Sequence, residues 1–437
     1  MPGVTHYEST FARLESALRA GAPDWLHDAR RRALAEFTAQ GFPTLRNEEW
    51  RFTRTHPIAE RDFGLVERYT PNGVSAEALA RLTFDDASCH RIVVADGHFA
   101  PDLCRLEGLP AGVRVTSLRE AVASDAVLVE RHLGRCADPA ANPFVALNTA
   151  FLRDGVFVHV ADGVELDTPV HLVFVSRAEG TVSHPRALIV AGRGARANLV
   201  ESYAGTGADY WTNAVTEIVC SENASVTHCR IQREVDSAFH VASQQAQLAT
   251  NSRFSTENVS LGSTLARHDI GAVLDGEGID ARLDGLYLAD GRRHVDNHTF
   301  IRHAQPHCHS FELYKGILGG KARGVFNGKI YVDPGAQKTD AKQENNCILL
   351  SDDARINTNP QLEIFADDVR CTHGATVGQL DEMAVFYMRS RGVPHARARS
   401  ILVYAFAAEV LERIAVEAVR ERLEADLFGW LSRTLAL

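Results

Sequence analysis

The sequence has 437 residues and a formal charge of −10, with 46 Lys+Arg against 56 Asp+Glu, an acidic balance that disfavours a nucleic-acid partner. At 45% hydrophobic and 23% charged, the composition excludes a disordered or collagen-like chain and leaves room for two or three structural regions. Only five basic residues are lysines, Lys315, Lys321, Lys329, Lys338 and Lys342, and this window is expected to hold positions that want a compact ammonium.

The opening MPGVTHYEST lacks a basic head and an apolar core, and the longest apolar stretch, Ile401 to Ala408, falls far short of the roughly 18 residues a span requires. A soluble cytoplasmic protein is the expectation. Apolar residues at threes and fours predict short helices over Phe11–Ala20 and Asp24–Gln40, punctuated by Gly21, Pro23, Gly41 and Pro43. With the aromatic segment NEEWRFTRTHPI from Asn47 they make an N-terminal helical region, 1–85. A mixed connector, 86–143, follows, in which RIVVADGHF from Arg91 reads as strand and turn.

From 144 to 378 short Val, Ile, Leu and Phe runs alternate with polar residues, broken by Gly, Asn and Asp. A weak repeat runs through GARANLVES at Gly194, NASVTHCRI at Asn223, NSRFSTENV at Asn251 and GIDARLDGL at Gly278, in steps of 27 to 29 residues. Short strands at a fixed period with turn residues at the corners predict a mainly β fold, a parallel β-solenoid. A β-sandwich is the alternative. Two later segments, GKARGVFNG at Gly320 and DARINTNPQ at Asp353, drift from the period. In the last region, 379–437, a short helix over Asp381–Ser390 is ended by Gly392. Pro394 then opens one long amphipathic stretch that reaches Leu431. Part of its apolar stripe is expected to cover the solenoid end, and part to pack on its own chain or dock a partner.

Several residue groups could carry chemistry. HVDNHTFIRHAQPHCHSFE gathers His294, His298, His303, His307, Cys308 and His309. On a strand His307 and His309 would share a face, with Glu312 as a carboxylate ligand, as in cupin-type metalloenzymes. Cys371 and His373 are also two apart on a predicted strand and would offer a thiolate and an imidazole together. Iron or an Fe–S cluster generally needs three or four ligands, so such a site must borrow donors from another coil or chain. Asp352, Asp353, Asp367 and Asp368 read as turn residues. The eight cysteines include no CxxC pair and suit neither a disulfide framework nor a complete zinc site. GxxxxGK[ST], GxSxG and HExxH are absent, so NTP hydrolysis, serine hydrolase and zincin chemistry lack their usual signatures.

The segment from Lys338 to Val393, with NEEWRFT at Asn47, HVDNHT at His294, GKARGVFNGKI at Gly320 and YAFAAEVLERI at Tyr404, resembles the SufB/SufD family of the SUF iron–sulfur cluster assembly machinery. The NEEW segment and the ADDVRCTHGATVG form are similar to its SufD branch. The resemblance implies a right-handed parallel β-helix flanked by helical N- and C-terminal regions. It implies a non-catalytic scaffold that pairs with SufB and carries the ATPase SufC, binding no nucleotide itself. A transient iron or iron–sulfur cluster would be shared with SufB. His373 falls on the family's HGAT histidine, an iron or cluster ligand at that interface, and Cys371 stands beside it. SufC docking would involve the region from Asp381 to about Ile414, with Arg389, Arg391, Gly392, Tyr404 and Phe406 as contact residues. Lys338 is expected to hold an anionic sulfur or cluster species, and Cys347 to be structural. Homodimers in isolation stay open. The competing reading is a stand-alone solenoid or cupin-like metalloenzyme using His307, His309 and Glu312.

Overall fold

In a computed structural model, which describes residues 2–71, 74, 79–80, 82–84 and 89–434, the repeat is the coil of a parallel β-solenoid. From Arg186 onward the chain alternates between two sheets, one strand to each per coil. Strands Arg196–Gly205, Ser225–Arg233, Arg253–Ser260, Asp280–Ala289, His309–Leu318, Asp340–Leu349 and Arg370–Gly378 stack in that order in the first sheet. Strands Trp211–Cys220 to Arg355–Ile364 stack likewise in the second. The strand expected after Arg91 is His90–Ala95, parallel to Glu165–Ser176 in the first sheet.

The period comes from the corners. Gly163, Gly194, Asn223, Asn251, Gly278, His307 and Lys338 each lie two residues before a first-sheet strand, with φ between 56° and 71°. This left-handed region costs a residue with a Cβ about 1–2 kcal/mol, less for Asn, and is freely open to Gly. The corners are stitched axially: the N–H of Asn223 donates to Thr250 O (2.9 Å), that of Asn251 to Glu277 O (2.8 Å) and that of His307 to Gln337 O (2.9 Å). The drifting segments at Gly320 and Asp353 lead into Arg323–Val332 and Arg355–Ile364, which belong to the second sheet. Asp352 and Asp353 precede the latter strand in a turn, as their composition predicts.

Alternation sends every second side chain into the solenoid, where Phe254, Leu283, Phe326 and Ile330 join one continuous core. The outer faces carry apolar residues too, and helices cover them. Trp211, Phe239 and Leu265 of the second sheet meet Tyr7, Phe42 and Phe63 of the N-terminal region. Val200, Ile231, Val259 and Leu286 of the first sheet meet Val403, Ala407, Val410 and Leu427. Against expectation, the C-terminal stripe thus covers a face and not the end. It is also two helices, His395–Leu411 and Glu417–Thr434; the chain turns at 412–416, where Ile414 is buried and Arg413 donates to Asp284 (2.7 Å). The first helix starts earlier than predicted, at Pro2, and residues 143–150 form a helix capped by Asn142, whose Oδ1 accepts from Phe144 N (2.9 Å).

NEEWRFT and HVDNHT, far apart in sequence, meet on the second sheet. The Arg267 guanidinium lies 3.8 Å over the Trp50 ring and donates to Glu49 O (2.6 Å) and Asp296 Oδ2 (2.8 Å). Burial alone would lower the His298 imidazole, but Asp296 at 3.0 Å, helped by Glu49 at 3.1 Å, outweighs it and holds the group at about 9.

Asn251→Val should lower stability by about 1–2 kcal/mol because the corner stays left-handed, whereas Asn251→Gly should remain near wild type. Equilibrium urea unfolding of both variants distinguishes a required backbone conformation from a required side chain.

Candidate functional site at the open end of the solenoid

Strand Arg370–Gly378 pairs with Asp340–Leu349 on one side, and among the described residues no further strand follows it in the sheet order. The chain leaves the sheet here because Asp381 starts a helix, its side chain accepting from Met383 N (2.9 Å). This last strand is exposed at every residue but Cys371.

Cys371 stands opposite Ala341 and His373 opposite Gln343, and both of those partners are fully buried. Strand alternation therefore turns Cys371 and His373 toward the solenoid interior. The column that ends in His373 runs through Leu199, His228, Thr256, Leu283, Glu312 and Gln343, one residue per coil. Gln343 Nε2 donates to Glu312 Oε2 (2.8 Å). Burial pushes the Glu312 carboxyl up to about 7. His373 is exposed, whereas Cys371 is half-buried against the core and its thiol is raised by that burial. Among the described residues no three His, Cys, Asp or Glu side chains converge as a metal-binding group. Cys371 and His373 share the inward face of this edge strand. Ile364, Phe365 and Val377 add exposed apolar surface at the same end, and Met383, Phe386 and Tyr387 continue it on helix Glu382–Arg389.

Comparison with known proteins fits this geometry. A family described as "SUF system FeS cluster assembly, SufBD core domain" matches residues 174–406, and one described as "SufBD protein N-terminal region" matches 1–172. The chain belongs to the SufBD family. It is 33% identical to an iron–sulfur cluster assembly SufBD family protein of Synechocystis sp., over 94% of this chain and 92% of that one. To the iron–sulfur cluster assembly protein SufD of Escherichia coli it is 30% identical, over 90% of both chains. Identity to SufD of Bacillus subtilis is 27%, over 92% of this chain and 93% of the relative.

Other residues singled out in the sequence lie apart from this SufBD open end. Lys338 occupies a left-handed corner and ion-pairs with Asp368. It sits five residues before Gln343, about 16 Å along the strand direction. Each lysine but Lys342 faces an acid further along the chain: Lys315 meets Glu409, Lys321 Asp353 and Lys329 Glu363. Cys347 points inward, its thiol raised by burial to about 11, 3.1 Å from Tyr287 Oη. Arg389 and Arg391 are exposed, with Arg391 3.6 Å over the Tyr387 ring, and Gly392 ends the turn with φ 84°. Tyr404 stacks on Phe428, and Phe406 lies beneath the Lys315 ammonium, so both are half-covered by their own chain.

The cupin-like set is not assembled. His307 forms a corner outside the strand, His309 is exposed on the outward face, and Glu312 is buried on the inward one. His294 is 2.7 Å from Thr53 Oγ1, and His303, lowered to about 4 by burial, is 2.9 Å from Ser310 Oγ. Sequence reading passed over Gln343 and the axial position of Glu312. Stepping back from His373 by 30 and then 31 residues would have reached both.

The unfolded Glu312 carboxyl ionises near 4.5 and the folded one near 7. Between those values the unfolded chain loses its proton first, so this group costs stability as pH rises. Glu312→Gln cannot ionise, and its stability relative to wild type should rise between pH 5 and pH 8 by up to about 3 kcal/mol, measured by urea unfolding at each pH.

Proposed function

We propose that the chain is a non-catalytic scaffold for iron–sulfur cluster assembly, with iron or a nascent cluster as cargo. The observation that supports this best is the last strand, paired on one side only, which carries an inward imidazole and thiol at the edge of the solenoid. A parallel coil that stops without a cap offers both a row of backbone hydrogen-bonding groups and an unfinished ligand set. SufB is the partner proposed to meet this edge and to add the missing donors; without SufB, a second copy of the chain could use the same edge.

In this reading His373 is a ligand through its ring nitrogen and Cys371 a weaker second donor, because its thiol must first be deprotonated against burial. SufC docks on the C-terminal helical region. The exposed Met383, Phe386 and Tyr387, bordered by Arg389, Arg391 and Gly392, supply the apolar anchors and basic rim of such a contact. Tyr404 and Phe406, half-covered by their own chain, are the further residues proposed for the contact. Nucleotide-driven movement of SufC would open or close the shared end. Lys338 lies too far along the strand to touch what His373 holds, so its proposed part is to receive anionic sulfur on the approach. No helix among the described residues is long and apolar enough to cross a membrane, and the cytoplasm is the proposed site of assembly.

His373→Ala should abolish cluster assembly in cells that depend on this chain, while SufB and SufC still co-purify with it. Full activity from that variant would refute the ligand role. Phe386→Glu should weaken SufC capture by at least about tenfold without changing thermal unfolding, since its ring is 65% exposed.

A further inference from the structure

A cavity of about 570 Å3 opens between the turn joining the first two helices and the segments that lead into the solenoid. Leu18, Leu26, Phe99, Val122 and Leu152 give it apolar walls, and four arginines, Arg30, Arg68, Arg119 and Arg153, reach it. Arg30 is 3% exposed. Its Nε and Nη1 donate to the carbonyls of Leu152 (2.8 Å) and Leu18 (2.7 Å), which fixes the guanidinium without neutralising it. Arg153 donates Nη1 to Glu67 O (3.0 Å), and its buried Nη2 has no acceptor.

The two acids on the lining make their closest contacts elsewhere, although the Glu67 charge still favours the Arg153 cation. Glu67 pairs with Arg13, and Asp154 Oδ1 accepts the backbone N–H groups of Arg119 (3.1 Å) and Gly155 (2.8 Å). Among the described residues no carboxylate ion-pairs with any of the four arginines. Burial, and then the charges of Arg153 and Arg119, pull the Arg30 guanidinium down to about 10. Arg30 is buried and Arg153 half-buried, whereas Arg68 and Arg119 are exposed; holding the first two beside one cavity costs desolvation and repulsion that an anion between them would offset.

We propose that this cavity binds a small organic anion, a phosphate ester or a carboxylate, with its charged group between Arg30 and Arg153 and its apolar body on Leu26, Phe99 and Val122. The N–H groups that Arg30 and Arg153 do not spend on backbone carbonyls, Arg153 Nη2 among them, can donate to either anion, and a mostly apolar pocket with a few converging polar groups is the usual form of a small-molecule site. The site lies in the N-terminal region and does not depend on the assembly reading of the open end.

Calorimetric titration of the full chain with phenyl phosphate, phenylacetate and neutral benzyl alcohol tests it. Saturable one-to-one binding of at least one anion is expected, with none for the alcohol, and the anion preferred tells phosphate from carboxylate. Arg153→Gln should weaken that binding at least about tenfold. Ala17→Trp, at the exposed mouth, should do the same by obstruction, and circular dichroism checks that both variants fold. Failure of both anions to bind, or binding indifferent to both substitutions, would overturn the proposal.

Discussion

A parallel solenoid hands its unpaired edge from each coil to the next, so every property of the molecule depends on where that edge is finally closed or left open. At the N-terminal side antiparallel pairing closes it: His98–Phe99 covers the first sheet and Val113–Ser117 the second. At the C-terminal side no strand among the described residues does the same, and Arg370–Gly378 and Arg355–Ile364 remain edges. The interior column of Glu312 and Gln343 therefore emerges at His373, where an isolated domain would bury an apolar residue.

Covering the faces while leaving the end bare requires the helices to be held sideways. Arg267 does this for the N-terminal region by bridging Trp50, Glu49 and Asp296. Lys315 and Arg413 do it for the C-terminal helices, through Glu409 and Asp284. These bonds leave the last coil outside the helical cover. The same division separates two places: the inward pair Cys371 and His373 at the edge, and an arginine-lined cavity between the N-terminal helices and the entry to the solenoid.

Much of this was legible because the corner conformation restricts its residue. Gly194, Asn223, Asn251 and Gly278 betray the period, since Gly and Asn tolerate positive φ best. His307 and Lys338 hold the same corner without that chemistry, and the repeat fades from sequence at that point. The position of His307 also removes the basis for an HxH metal pair, which assumed a strand. Cys371 and His373 were readable as a same-face pair, but their backing was not, because Gln343 and Glu312 become neighbours only through register. The break at 412–416 escaped notice because both C-terminal helices share one apolar period.

The claim that the last coil is an edge awaiting a partner is tested most directly by hydrogen–deuterium exchange on the amides of 370–378, in the chain alone and in complex with SufB. Rapid exchange alone and strong protection in the complex, with the coils from 196 to 318 unchanged, is the predicted result. Equal exchange of 370–378 in both states would contradict it.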